Sequence, residues 1–242
     1  LEQQGPFAPG VELGRLLLSR DDLAPGEKLT VFGALARALR GAGRFEEARA
    51  CLQQGLAVAR EHADLRREAE LMNRLADLLR ELTHFDQAAA IGDAAVALAR
   101  AAALPAAEAV GLGNLAVVHQ YQGRIDTAMA LHEAALALHR QVGNRSAESA
   151  VHNNLAVLHH EQGRIVQALE HHRLALESRR EAGDRVAESL SLGNIGNVLI
   201  DLGRIDEGRE HQQAALAIHR SVGNRYHEAE VVGNIASIEE QG

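Results

Sequence analysis

The sequence predicts an all-α protein built from stacked pairs of helices, and three observations carry that prediction. The first is a repeat of 40 residues: "GNLAVVHQYQGRIDTA" (113–128) returns as "NNLAVLHHEQGRIVQA" (153–168) and as "GNIGNVLIDLGRIDEG" (193–208), then begins again as "GNIASIEEQ" (233–241). Self-similarity at a fixed period marks a stacked-repeat architecture, whose core extends along a line instead of around a centre. The second is composition: 46% of the 242 residues are apolar but only 2% are aromatic, which suits helices packed through small side chains. The third is spacing. Ile165, Ala168, Leu169, His172, Ala175 and Leu176 recur three and four residues apart, as one stripe of a helix and not as the alternation of a strand.

Residues 1–26, punctuated by Pro6, Pro9 and Pro25, read as a degenerate half-repeat with a short helix over 11–20. Leu16 and Arg20 stand 40 residues before Leu56 and Arg60 and set its expected register. The array proper occupies 27–242, as repeats near 27–65, 66–105, 106–145, 146–185 and 186–225, followed by a lone helix in 226–242. First helices are expected near 27–41, 66–81, 106–121, 146–161 and 186–201, and second helices near 45–61, 85–101, 125–140, 165–180 and 205–220. Gly123, Gly163 and Gly203 follow first helices, where a left-handed C-terminal cap favours a residue without Cβ.

Columns of the stacked repeats sort by physics. Ala36, Ala76, Ala116, Ala156, Gly196 and Ala236 stay small, as do Ala48, Ala88, Ala128, Ala168 and Gly208, and Gly55, Ala95, Ala135, Ala175 and Ala215. A position small in every copy is expected where two helix backbones cross closely. Leu35, Leu75, Leu115, Leu155, Ile195 and Ile235 supply the large partner between layers. Arg60, Arg100, Arg140, Arg180 and Arg220 end second helices, and Glu68, Glu108, Glu148, Glu188 and Glu228 begin the next ones, each with the sign its helix dipole prefers. These charges either pair across each loop or remain solvated helix-end charges worth less than about 1 kcal/mol.

Small residues at these offsets, with Leu before the first and Gly at the turn, resemble the tetratricopeptide repeat (TPR). That repeat is usually about 34 residues long; the extra residues here lie in longer helices and in the loops "QVGNR" (141–145), "EAGDR" (181–185) and "SVGNR" (221–225). Forty-residue versions resemble the Pins-type adaptors and the C-terminal arrays of bacterial signalling ATPases and transcription regulators; the Ala-, Leu- and Arg-rich wording is more similar to the bacterial group. The resemblance implies a right-handed superhelical solenoid of antiparallel helix pairs, with about five repeats and partial repeats at both ends. It also implies a protein- or peptide-binding module whose first helices line the groove.

One column is explained by neither packing nor capping. Asn114, Asn154, Asn194 and Asn234 recur in the middle of the first helices, where asparagine is a mediocre choice because its amide competes for the backbone. In the resembled family the matching position faces the groove and hydrogen-bonds the main chain of a bound peptide, and a carboxamide offers both donors and an acceptor for that task. The alternative is that these amides bridge adjacent repeats, and both roles are compatible. Asn153 and Asn197 add amides beside the column, Val117 and Val157 an apolar floor, and Arg74 a charge. Arg37, Arg40, Arg74 and Arg80 occupy groove-side columns early while Asp201 and Glu240 do so late, a gradient that suits an acidic or mixed-charge ligand at the early repeats. The lysine-and-asparagine carboxylate clamp of chaperone-binding members is not matched, because Gly and Val stand at its positions.

Other function classes are disfavoured. A net charge of −8, with one lysine among 25 basic residues, argues against phosphate-backbone or acidic-lipid binding, so neither nucleic acid nor membrane is an expected partner. The 13 histidines invite a metal reading, but His119 and His159, and His132 and His172, occupy slots where the resembled family places aromatic rings. No zinc-protease helix, phosphate loop or nucleophile elbow occurs. No metal, no cofactor and no enzymatic activity are expected. Cys51 reads as a small buried residue and a cytoplasmic location as the default. The stop at "IEEQG", where earlier copies continue into a second helix, suggests a segment of a longer polypeptide with Val232, Ile235 and Ile238 exposed. The leading expectation is therefore a peptide-binding sensor or regulatory segment of a larger bacterial signalling protein; the alternative is an assembly scaffold that self-associates end to end or laterally.

Overall fold

The computed structural model describes residues 6–240, apart from the side chains of 230 and 237–240. Twelve α-helices and no strand occur among the described residues. They are α1 (Ala8–Leu18), α2 (Pro25–Gly41), α3 (Phe45–Glu61), α4 (Leu65–Glu81), α5 (Phe85–Ala101), α6 (Pro105–Tyr121), α7 (Ile125–Gln141), α8 (Arg145–Glu161), α9 (Ile165–Glu181), α10 (Arg185–Asp201), α11 (Ile205–Val222) and α12 (Arg225–Glu240). Observed ends fall within two residues of those expected for α2–α11, the usual scatter of frayed termini. The chain divides into two compact units, Leu1–Leu138 and His139–Gly242.

In the first unit each helix packs on the next from α1 to α6, and the first helices α2, α4 and α6 also touch in succession. In the second, α8 to α12 pack sequentially in the same way. The small columns lie where helices cross: Ala48, Ala88, Ala128, Ala168, Ala95, Ala135, Ala175 and Ala215 are completely buried. The crossing of α10 and α11 is close, because a Cβ on Gly208 would stand 2.9 Å from the carbonyl oxygen of Gly196 and 2.7 Å from Cγ1 of Ile200. Leu35, Leu75, Leu115, Leu155 and Ile195 fill the layers between crossings.

Turn chemistry follows the same period. Gly123, Gly163 and Gly203 take φ of 70–74°, and Gly143, Gly183 and Gly223 take 69–72° at the other loop of each repeat. The equivalent turns at Ala63, Thr83 and Ala103 adopt the same left-handed conformation without glycine, at φ of 52°, 60° and 52°. Asp64, Asn144 and Asp184 then cap the next helix, each accepting a hydrogen bond from the backbone N–H three residues on at 2.9–3.1 Å. The loop residues beyond the ordinary repeat length thus supply both the turn glycine and the cap.

The Arg–Glu columns are paired. Arg60–Glu68, Arg100–Glu108, Arg180–Glu188 and Arg220–Glu228 meet at 2.6–2.9 Å, and Arg140–Glu148 at 3.9 Å. The arginine heads stay more than half exposed, so each pair contributes less than about 1 kcal/mol while fixing the loop.

Two expectations need correction. Leu16 is 65% exposed whereas Leu56 is 6% exposed, so the register set by the 40-residue offset fails in α1. The buried residues of α1 are Val11 and Gly14, which match buried Leu52 and Gly55 at an offset of 41; one residue of slip carries Leu16 off the buried face. At the other end Val232 is 43% exposed as expected, but Ile235 is half-buried against the core of the second unit, because α12 turns that position toward α11. Ile238 lies outside the described side chains.

Candidate binding face of the first helices

The asparagine column divides by repeat. Asn114 on α6 donates from Nδ2 to the carbonyl of Asn73 on α4 (3.3 Å), and Asn194 on α10 donates to Oδ1 of Asn153 on α8 (2.9 Å). Those two amides bridge neighbouring first helices. Asn154 on α8 and Asn234 on α12 are half-buried, and their side chains have no hydrogen-bond partner among the described residues. Asn197 is exposed and accepts a 2.6 Å hydrogen bond from the amide of Gln212, a completely buried α11 residue that also donates to the Gly193 carbonyl (3.1 Å). Asn194, Asn197, Gln212 and Asn234 line one cleft of about 40 Å³ between α10, α11 and α12. Val157 is 37% exposed and Val117 half-buried, each one turn on from its column asparagine.

Arg74 stands in the first unit where the column would place asparagine, 40 residues before Asn114. Its guanidinium crosses Gly33 on α2 and donates to the Gly33 carbonyl at 3.3 Å. It lines a second cleft of about 50 Å³ between α2, α3 and α4, with Arg37 and Arg40 on the rim and Leu52 and Leu78 beneath.

The expected charge gradient is largely neutralised inside the protein. Arg40 pairs with Asp77 (2.6 Å) and Glu81, and Arg80 pairs with Asp77 (2.7 Å). Asp201 in the second unit is held by His160 at 2.7 Å, and Glu240 lies outside the described side chains. A rule of offset 41 emerges that sequence reading missed: Arg40 reaches Glu81, Arg80 lies over the ring of Tyr121 at 5.8 Å, and His160 reaches Asp201. The last residue of one first helix sits beside the penultimate residue of the preceding one, so the pairing is shifted by one from the sequence period. Alternating basic and acidic columns at 40 and 81 were its visible signal. Of the early arginines, Arg37 and Arg74 alone remain without a carboxylate ion pair among the described residues.

The histidines occupy packing positions. His132, on α7 in the first unit, is completely buried and neither ring nitrogen finds a partner among the described residues; burial pushes it down to about 4. In the second unit burial, followed by neighbouring positive groups, pushes His152 and His172 down to about 4, so both are neutral at pH 7. His159 stacks on His171 with ring centroids 5.1 Å apart. Among the described residues no group of three or more His, Cys, Asp or Glu could hold a metal ion, and no helix is long and apolar enough to cross a membrane. Cys51 is buried, and burial raises its thiol to about 11.

These features match known proteins at the level of the repeat. A tetratricopeptide repeat family model matches residues 108–181, and a second model of the same repeat matches 29–64 and 190–222, together more than half of the chain. No curated protein matches it. Among solved structures, BtubC from P. vanneervenii is similar with a TM-score of 0.76 at 22% identity, over 90% of this chain and 89% of that one. Aspartyl phosphate phosphatase F from Bacillus subtilis gives 0.67 at 14%, over 96% and 64%. A Rap protein complexed with Competence and Sporulation Factor gives 0.69 at 14%, over 98% and 71%. At such identities the likeness is one of fold. With the helix pairs, the small-residue crossings and the family matches in agreement, the chain belongs to the tetratricopeptide repeat proteins.

Proposed function

We propose that the chain is a protein-binding module that takes an extended segment of its partner along the exposed face of the first helices. The reading rests on Asn154 and Asn234: each is a half-buried carboxamide on that face with no partner among the described residues, beside exposed Val157 in the first case and the α10–α12 cleft in the second. A buried or half-buried amide without a partner carries a desolvation cost that a peptide main chain, offering N–H and C=O together, relieves. Asn114 and Asn194 serve chiefly as ties between repeats in this scheme, and Asn153 and Asn197 orient around them. The similarity to a Rap protein complexed with Competence and Sporulation Factor supports a fold of this kind holding a bound partner. We place the module as a sensor or regulatory segment of a larger bacterial signalling protein in the cytoplasm.

A peptide selected against the protein from a random display library tests this. Asn154→Ala is expected to weaken its binding several-fold and leave the melting temperature nearly unchanged, whereas Asn194→Ala lowers the melting temperature. Unchanged binding by Asn154→Ala, with a lowered melting temperature, refutes the role of the column. Assembly through self-association is a second reading, favoured by apolar side chains exposed on α1 (Leu13 57%, Leu16 65%) and by Val232 on α12. Sedimentation velocity over a range of concentrations distinguishes it.

A further inference from the structure

Five arginines surround the first-helix face of the first unit, and their partners are unequally distributed. Arg40 and Arg80 share Asp77, and Arg40 also takes Glu81. Arg67 is paired with Glu70 at 2.9 Å. Arg37 has no hydrogen bond or ion pair among the described residues, and Arg74 has its backbone hydrogen bond to Gly33 and a more distant attraction to Glu70, a carboxylate already engaged. Two guanidinium charges are therefore in excess, at the rim of one cleft. Burial, then the proximity of Arg37, lowers the pKa of the Arg74 guanidinium. Like charges held together beside apolar surface are unfavourable until an anion joins them.

The cleft beneath has an apolar floor, Leu52 and Leu78, both almost completely buried. Its volume of about 50 Å³ is well below the range for small-molecule sites and admits only the end of one side chain of a longer ligand. A free inorganic anion gains nothing from an apolar floor. A methylene stem ending in a carboxylate gains from both surfaces, and the planar guanidinium fork matches a carboxylate in a bidentate arrangement.

We propose that the α2–α3–α4 cleft, rimmed by Arg37 and Arg74 above Leu52 and Leu78, anchors a glutamate or aspartate side chain of a bound extended peptide. This rests on the peptide-binding reading above and specifies its ligand: a segment with an acidic residue that meets the first unit. Arg74 occupies the column position of Asn114, so the anchor lies one repeat before that carboxamide in the first unit.

The test uses two fluorescein-labelled peptides, alternating Leu-Glu and alternating Leu-Gln, with inorganic phosphate as competitor. The Leu-Glu peptide is expected to bind about tenfold more tightly than Leu-Gln, and its affinity to fall as salt rises. Arg37→Gln and Arg74→Gln each remove most of that tenfold preference and leave Leu-Gln binding unchanged; Arg74→Lys retains part of it. Arg124→Gln, at an exposed position before α7, changes nothing. Circular dichroism of each variant should match the parent. Equal binding of the two peptides, no binding of either, or a preference that survives both Arg→Gln changes overturns the proposal. Phosphate that displaces Leu-Glu at concentrations comparable to the peptide's own also overturns it, by reassigning the cleft to a free anion. If a library-selected peptide remains sensitive to Asn154→Ala while Arg37 and Arg74 prove irrelevant, the anchor fails and the peptide-binding reading stands.

Discussion

Replacing Gly208 with alanine is expected to destabilise the second unit, although the same change inside a helix ordinarily adds about 1 kcal/mol of stability through propensity. The reason is geometric. The new Cβ would stand 2.7 Å from Cγ1 of Ile200 and 2.9 Å from the carbonyl oxygen of Gly196. A side chain can turn away, but the carbonyl belongs to the α10 backbone, so α10 and α11 must separate. Overpacking of this kind costs about 1–3 kcal/mol, and the backbone obstacle favours the upper part of that range, which leaves a net loss of about 1–2 kcal/mol after the propensity gain. Urea unfolding followed by circular dichroism measures it, and hydrogen exchange localises it, with faster exchange expected in α10 and α11. Gly196→Ala meets the Gly208 carbonyl at 3.0 Å and should behave alike, and the double variant should cost less than the two single losses combined, since the helices separate once for both. A higher urea midpoint for Gly208→Ala would refute the close crossing.

Thr83 adopts φ of 60° at a turn that other repeats give to glycine; Thr83→Gly relieves about 1–2 kcal/mol of left-handed strain against about 0.5–1 kcal/mol of added unfolded-state entropy, so the melting temperature should rise slightly. His132→Phe keeps the ring in its slot and removes two partnerless buried nitrogens, so it should stabilise by about 1–3 kcal/mol in chemical denaturation. Burial holds His132, His152 and His172 at about 4, below the ordinary 6.5. Between those values the unfolded chain binds protons that the folded chain refuses, so their effect is absent above pH 6.5 and stability is lost as pH falls toward 4, by about 1.4 kcal/mol per pH unit for each histidine. Unfolding midpoints measured from pH 7 to 4 should show this slope, and His172→Phe should reduce it.

Much of the fold was legible because its determinants are local or periodic. Leu155, Ala156 and Ala168 announce their burial by recurring every 40 residues, and Gly163 announces its turn by following a helix. The candidate face was less legible. Asn114 and Asn154 look identical in sequence, yet one donates across to α4 and the other has no partner among the described residues, because a carboxamide's fate depends on what the neighbouring helix offers within about 3 Å. The early arginines also looked alike, and Asp77 and Glu81 divided them into neutralised and available sets.

The sequence by itself therefore determined the helices, their ends, their pairing and the small residues at their crossings, since each depends on spacing along one chain segment or on a period that survives translation. Only the tertiary structure decided the one-residue slip of α1, the shift of the charge ladder from 40 to 41, and which amides and guanidinium groups are left without a partner among the described residues. Those properties depend on the lateral offset between neighbouring helices, a distance of a single residue that the repeat period does not encode.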